Sequence, residues 1–260
     1  MTLPLNLLLS GVAAVVLLLT LTAVRLVQVL HRTHSRTSRP PRTPTDEAVL
    51  AVFLGSGGHT AEMTRLTANL DFDQRFTKRV WIVQSGDSMS EARALEIEKR
   101  IGGGEFRILR IPRARKVHQS YLSSIFTTLY TLAFTLWHIA IKPLFFPLFP
   151  PSTSSPANPP LPSRRRLFAD VILLNGPGSC VPIAFSAFLP RLFSLPSPSL
   201  IYIESLARTR RLSLSGKLVR PLVDRFFVQW EGLRESLVKK QRVGRRWKLL
   251  AEVECQGWLV

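Results

Sequence analysis

The chain has 260 residues, 46% of them hydrophobic, so it can bury a full core. Its two cysteines, Cys180 and Cys255, exclude a disulfide framework and fit a reducing compartment, and no Cys/His cluster has zinc spacing. The formal net charge is +18, with basic clusters at 164–166, 208–220 and 234–248; nucleic acid is the reflex partner for such a balance, but beside an apolar N-terminus anionic headgroups explain it more simply, most of these charges being solvated faces.

Residues 1–24 carry no charged side chain and are mostly Leu, Val and Ala. About 20 apolar residues span a bilayer. No Lys or Arg precedes the run and no clean A-x-A site follows it, which points to an uncleaved anchor rather than a signal peptide. Arg25, Arg32, Arg36, Arg39 and Arg42 come next, so the positive-inside rule places the N-terminus in the lumen and the bulk of the chain in the cytosol. The expected organisation is an anchor over 1–30, a basic Pro/Ser/Thr-rich linker over 31–47, and one domain over 48–260.

Within that domain, strands are predicted over 49–54, 80–84, 106–111, 170–174, 200–204, 225–229 and 249–254. Helices are predicted over 59–70, 89–100, 120–141, 179–188, 212–223 and 231–239. Near-continuous apolar strands alternating with helices indicate an α/β fold, a Rossmann-like doubly wound parallel sheet covered on both faces. Ligands in such folds bind at the carboxyl ends of the strands. Residues 120–141 are uncharged and long enough to cross a bilayer, yet a crossing would put 49–54 and 170–174 on opposite sides of it. Arg110, Arg113, Arg115 and Lys116 precede this segment and Lys142 follows it, a symmetry that suits a helix lying in the cytosolic interface; an ordinary buried helix is the alternative. Residues 149–164 form a Pro/Ser-rich insert unsuited to one conformation.

Two strand ends carry glycine turns. The first reads Leu54-Gly55-Ser56-Gly57-Gly58-His59-Thr60-Ala61-Glu62 and opens a helix, an arrangement whose backbone N–H groups and helix dipole favour phosphate oxygens. It lacks the Lys-Ser/Thr of a P-loop and matches the dinucleotide fingerprint only in part. Asp87, after the next strand, could bond a ribose, so an anchored nucleotide-cofactor enzyme of Rossmann type is one alternative, and a purely structural turn is another. The second reads Leu174-Asn175-Gly176-Pro177-Gly178-Ser179, with Ser179 placed to cap the following helix. Two such turns can converge from two helix starts on one ligand, and a diphosphate would suit them. Farther on, Glu204 and Ser205 end a strand, positioned either for sugar hydroxyls or for a local helix cap.

These stretches, with the anchor, resemble the family of membrane-anchored subunits of the endoplasmic-reticulum enzyme that adds the second N-acetylglucosamine to a dolichol-linked diphosphate sugar. The matching signatures are 55–63, Asn175-Gly176-Pro177-Gly178 with Val181-Pro182 after it, and Tyr202-Ile203-Glu204-Ser205. Residues 117–130 and Val228-Gln229-Trp230 add to a resemblance that covers nearly all of 49–260; the insert departs from it. The resemblance implies the N-terminal half of a GT-B glycosyltransferase, similar to the bacterial transferase that makes the second lipid-linked peptidoglycan intermediate. It implies acceptor-diphosphate binding by Gly55, Ser56, Gly57, Gly58, Thr60, Asn175, Gly176, Gly178 and Ser179, with no metal and no cofactor. A soluble partner subunit would supply UDP-N-acetylglucosamine, since after anchor, linker and insert too little chain remains for a second doubly wound domain of about 150 residues. The chain alone would be inactive. His59 is the candidate general base by pKa and position, with Glu62 and Glu204 as competitors. The apolar end, Trp258, Leu259 and Val260, is expected either to touch the partner or to pack on its own core. The expected location is the endoplasmic-reticulum membrane, single-pass, with the nuclear envelope as a further site, and no nucleic acid is expected as a ligand.

Overall fold

The computed structural model describes residues 5–35, 47–115, 119, 121–149, 167–243 and 249–257. Seven strands are present among them: β1 Val49–Leu54, β2 Lys78–Gln84, β3 Glu105–Ile111, β4 Val171–Asn175, β5 Ser199–Ile203, β6 Arg225–Val228 and β7 Val253–Cys255. They form one parallel sheet in the order β3-β2-β1-β4-β5-β6-β7. The helices are α1 Leu5–His34, α2 Gly58–Thr67, α3 Ser88–Ile101, α4 Tyr121–Thr135, α5 Lys142–Phe145, α6 Cys180–Phe188, α7 Leu214–Val219 and α8 Glu231–Val243. A π-helical turn, Leu136–Ile141, joins α4 to α5, and a 3-10 turn, Leu189–Phe193, continues α6.

The uninterrupted apolar strands follow from burial on both faces. In β1, Ala51, Val52, Phe53 and Leu54 are all fully buried. Alternate residues serve two cores: Val52, Leu54, Trp81 and Val83 meet Met63 of α2 and Ala94 of α3, whereas Phe53, Ile82, Ile172 and Leu174 meet Ile183 and Ala187 of α6. The strand order reverses between β1 and β4, which places the two glycine turns side by side at the point where such sheets bind ligands.

The expected 120–141 helix is broken into α4 and the π turn, and its inward face is polar. Thr131 and Thr135 are fully buried, and the Thr135 hydroxyl lies 2.8 Å from that of Ser186 on α6. Thr127 and Thr128 donate to the Ala114 carbonyl at 2.7 and 3.0 Å. The outward face carries exposed Ile125, Phe126, Leu129 and Tyr130. The segment is therefore neither wholly buried nor free of the domain. Its flanking strands β3 and β4 belong to one sheet, so it does not carry the chain across a bilayer between them.

Helix α1 runs past the expected linker boundary at 31, because its last turns dock on the domain. Val29 is buried there, Arg25 donates to the Leu192 carbonyl at 3.0 Å and to the Ser194 hydroxyl at 2.6 Å, and Arg191 reaches Thr33 at 3.2 Å. Residues 9–34 and 123–145 are each long and apolar enough, by length and composition, to cross a membrane. Not every basic residue is a solvated charge. Arg208, Arg210 and Arg211 are exposed, but Arg220 is buried, with its Nε on the Ala251 carbonyl at 3.1 Å. The expected strand over 249–254 shrinks to β7. Residues 36–46 of the linker, 150–164 of the insert, and Trp258, Leu259 and Val260 lie outside the described residues.

Candidate functional site

The glycine turns touch. Gly55, at the end of β1, lies so close to the second turn that a Cβ built on it would stand 2.7 Å from Pro177 Cδ. Gly176 returns the contact, for a Cβ there would collide with the His59 ring, and its φ of +92° is one that side chains rarely adopt. Gly57 sits at φ +63° as the N-cap of α2 and offers no side-chain cap. Ser179, the N-cap of α6, also makes no capping bond, contrary to the sequence reading. Its hydroxyl is turned inward instead, taking Gln84 Nε2 at 3.1 Å and the Ala114 N–H at 3.3 Å. Two helix starts thus lie side by side without a side-chain cap; the N–H groups of Thr60, Cys180 and Val181 bond carbonyls of the turns themselves, at 3.1, 2.9 and 3.1 Å, which leaves those of the exposed glycines for a ligand.

The nine residues expected to hold a diphosphate separate into two sets. Ser56, Gly57, Gly58 and Gly178 are exposed at the carboxyl edge of the sheet. Gly55, Thr60, Asn175, Gly176 and Ser179 are buried. The Thr60 hydroxyl is spent on the Gly55 carbonyl and on Ser90 Oγ, the latter at 2.7 Å. Asn175 is fully buried, and its amide bridges His59 Nδ1 at 3.0 Å and Glu62 Oε2 at 2.9 Å. These buried side chains frame the turns rather than face outward. Asp87 caps α3, accepting from the Ser90 N–H at 3.1 Å and its hydroxyl at 2.8 Å.

The three candidate bases differ sharply. Glu204 is 1% exposed, and its carboxylate accepts from the Ser205 N–H at 3.2 Å and from the Ser213 N–H and hydroxyl at 3.0 Å each. It holds the loop after β5 to the start of α7 and is sealed from any substrate. Glu62 accepts from the Ser205 hydroxyl at 2.9 Å, the Leu206 N–H at 3.2 Å and Asn175. Burial pushes its carboxyl up, but the donors His59, Ser205 and Asn175 outweigh burial and hold it below the usual range. His59 has a side chain 32% exposed, and its Nε2 makes no hydrogen bond among the described residues. The Glu62 carboxylate, 3.8 Å from Nδ1, raises the imidazole pKa above 6.5; burial opposes this, while Asn175 and the Glu204 charge add to it.

Sequence reasoning missed two parts of this site. Ser205 serves Glu62 rather than a sugar, and Gln84 braces the second turn through Ser179. Gln84 closes the apolar run Val80–Val83 of β2 and Ser205 follows β5 by two residues, and that position at a strand's carboxyl end was the available signal. Cys180, beside Asn175, is a buried thiol whose pKa is pushed up by burial and by the Glu204 charge; it behaves as a small hydrophobe.

Comparisons with known proteins bear on this geometry. The family model described as oligosaccharide biosynthesis protein Alg14 like matches residues 50–246. The chain is similar to the UDP-N-acetylglucosamine transferase subunit ALG14 of Candida albicans, at 41% identity over 222 residues, covering 85% of this chain and 89% of that protein. The subunit of the same name from Cryptococcus neoformans is 38% identical over 216 residues, 81% and 86% of the two chains. That from Rattus norvegicus is 36% identical over 212 residues, 79% and 86%. Among solved structures, the crystal structure of MurG from Acinetobacter baumannii matches with a TM-score of 0.45 and 12% identity, over 81% of this chain and 44% of that one.

Proposed function

This chain belongs to the Alg14-like family of oligosaccharide biosynthesis proteins, and from that premise we propose that it is the membrane-anchored, acceptor-binding subunit of a two-chain UDP-N-acetylglucosamine transferase. Its acceptor is GlcNAc-diphosphodolichol on the cytosolic face of the endoplasmic reticulum, and its product carries the second GlcNAc. The chain forms the acceptor half of a GT-B enzyme, and a soluble partner brings the donor half with UDP-N-acetylglucosamine. Without that partner it is inactive. One observation carries the proposal: two mutually contacting glycine turns, each opening a helix with no side-chain cap, meet at an imidazole whose Nε2 has no partner among the described residues.

The chemistry follows from that arrangement. Backbone N–H groups at the exposed Gly57, Gly58 and Gly178 and the positive ends of α2 and α6 take the acceptor diphosphate. The acceptor sugar then lies over His59. Its O4 attacks C1 of the donor while Nε2 removes the O4 proton, the C1–O bond to UDP breaks with inversion, and UDP leaves with the electron pair. A positioned base of this kind contributes about 10²–10⁴-fold.

The anchor supports the same assignment. Residues 5–24 of α1 precede Arg25, and 20 helical residues reach about 30 Å, the thickness of the hydrocarbon core. The exposed apolar face of α4 then lies in the membrane surface, so that a lipid tail need not leave the bilayer for its headgroup to reach the glycine turns. The N-terminus is lumenal, and Trp258, Leu259 and Val260 dock the soluble subunit. Turnover of a synthetic lipid-diphosphate-GlcNAc acceptor tests the proposal. Product should form only when both subunits are present; product from either subunit alone would overturn it.

A further inference from the structure

We infer that Asn175 and Glu62 are positioning residues that fix the tautomer of His59, so that the ring nitrogen left open carries the lone pair. Glu62 sets the first constraint. Its Oε1 accepts from the Ser205 hydroxyl and the Leu206 N–H, at 2.9 and 3.2 Å. An ionised carboxylate can only accept. The amide of Asn175, 2.9 Å from Oε2, must therefore present its NH2 to Glu62 and its Oδ1 to His59. Turned round, the amide would set two acceptors against each other in a site where Asn175 has no exposed surface and water cannot repair the mismatch.

The constraint then passes to the imidazole. An amide oxygen accepts only, so His59 Nδ1, 3.0 Å away, must carry the proton. In the neutral ring this leaves the lone pair on Nε2, the nitrogen with no partner among the described residues. The ring cannot swing aside toward the second turn, because Gly176 already lies against it. Ends of three strands thus share in placing one proton: β1 through the helix bearing His59 and Glu62, β4 through Asn175, and β5 through Ser205 and Leu206. Asn175, expected to bind diphosphate, acts instead on the base. This inference rests on His59 being the base of the proposed reaction.

The decisive variant is Glu62→Gln, which is isosteric and can keep the bonds from Ser205 and Leu206 through its amide oxygen. Its NH2 would then face Asn175, the Asn175 amide would turn round, and His59 would be left protonated on Nε2. The full chain, labelled with 15N-histidine and co-purified with its soluble partner, reports this directly in the ring nitrogen shifts, with His59 assigned by its loss in His59→Ala. The wild type should show protonated Nδ1 and unprotonated Nε2. Glu62→Gln should reverse them and lower kcat by about 10²–10⁴-fold with little change in KM, since a base in the wrong tautomer loses about that much in comparable sites. The acidic limb of kcat/KM should also move down in pH, because of the two carboxylates that face His59, Glu62 and Glu204, only the second would remain charged.

Asn175→Ala, should it fold, must leave a tautomer mixture. An unchanged tautomer in Glu62→Gln would overturn the inference, including the case where kcat falls because Glu62 is itself the base. The two readings fail separately. Full activity in His59→Ala alongside a reversed tautomer in Glu62→Gln leaves the relay standing and removes His59 as base. Lost activity in His59→Ala with no tautomer change in Glu62→Gln does the opposite.

Discussion

The turns after β1 and β4 are assembled from the same parts, a buried strand, glycines and the uncapped start of a helix, yet they face in different directions. The first exposes Ser56, Gly57 and Gly58 and puts His59 at the surface of the sheet edge. The second exposes Gly178 but turns Asn175 and Ser179 inward, one onto His59 and Glu62, the other onto Gln84 and Ala114. On the proposed function, both turns offer backbone N–H groups to the substrate, but only the second also commits its side chains to fixing the geometry of the first. Glycine patterns alone do not separate these roles; the burial of the polar side chains beside the glycines does.

The comparison predicts a ranking of effects. His59→Ala, in the outward turn, should lower kcat by about 10²–10⁴-fold, measured on the two-subunit complex. In the wild type, kcat/KM should rise with pH through a pKa above 6.5, since the base must be neutral and Glu62 raises its pKa; a limb below that value would place the base elsewhere. Gly57→Val should cost about 10²-fold in kcat/KM, because φ +63° strains a branched residue and its side chain fills the space before α2. Normal turnover by that variant would remove the first turn from the site.

Smaller effects belong to the inward turn. Gly178→Ala meets nothing within 4 Å and has an ordinary φ, so any loss reports on what binds there; KM for the acceptor should rise about tenfold, the worth of one contact near 1.4 kcal/mol. Ser179→Ala should act on stability, leaving Gln84 Nε2 and the Ala114 N–H unpaired at a cost of about 1–3 kcal/mol. That corresponds to a Tm lower by roughly 2–4 °C per kcal/mol. An unchanged Tm with a raised KM would mean that the Ser179 hydroxyl faces the diphosphate after all.

Much of this was legible in the residues. Short β-branched apolar runs such as Val80-Trp81-Ile82-Val83, alternating with helical patterns, indicated strands covered on both faces, and the structure buries all four of these residues. Glycines at two strand ends marked the site. What could not be read was which polar side chains the fold would consume. Asn175 and Thr60 look like ligands along the chain, but their partners, Glu62 and Ser90, lie 113 and 30 residues away. Glu204 resembled a base until the loop after β5 brought Ser213 onto it. Arg220 resembled a solvated charge, and only tertiary packing placed it over the Phe226 ring, 5.9 Å from the centroid. Periodicity reports burial of apolar faces; it carries no information on long-range polar pairing.

The claim that the two turns together hold an acceptor diphosphate is tested most directly by equilibrium binding to the full chain in detergent, without its partner. The probe is a short-chain polyprenyl diphosphate bearing GlcNAc, titrated into wild type, Gly57→Val and Gly178→Ala. The account predicts binding by the wild type, weakened by each glycine substitution and not displaced by UDP-N-acetylglucosamine. Acceptor binding indifferent to both substitutions, or displacement by the nucleotide sugar at the same site, would contradict it.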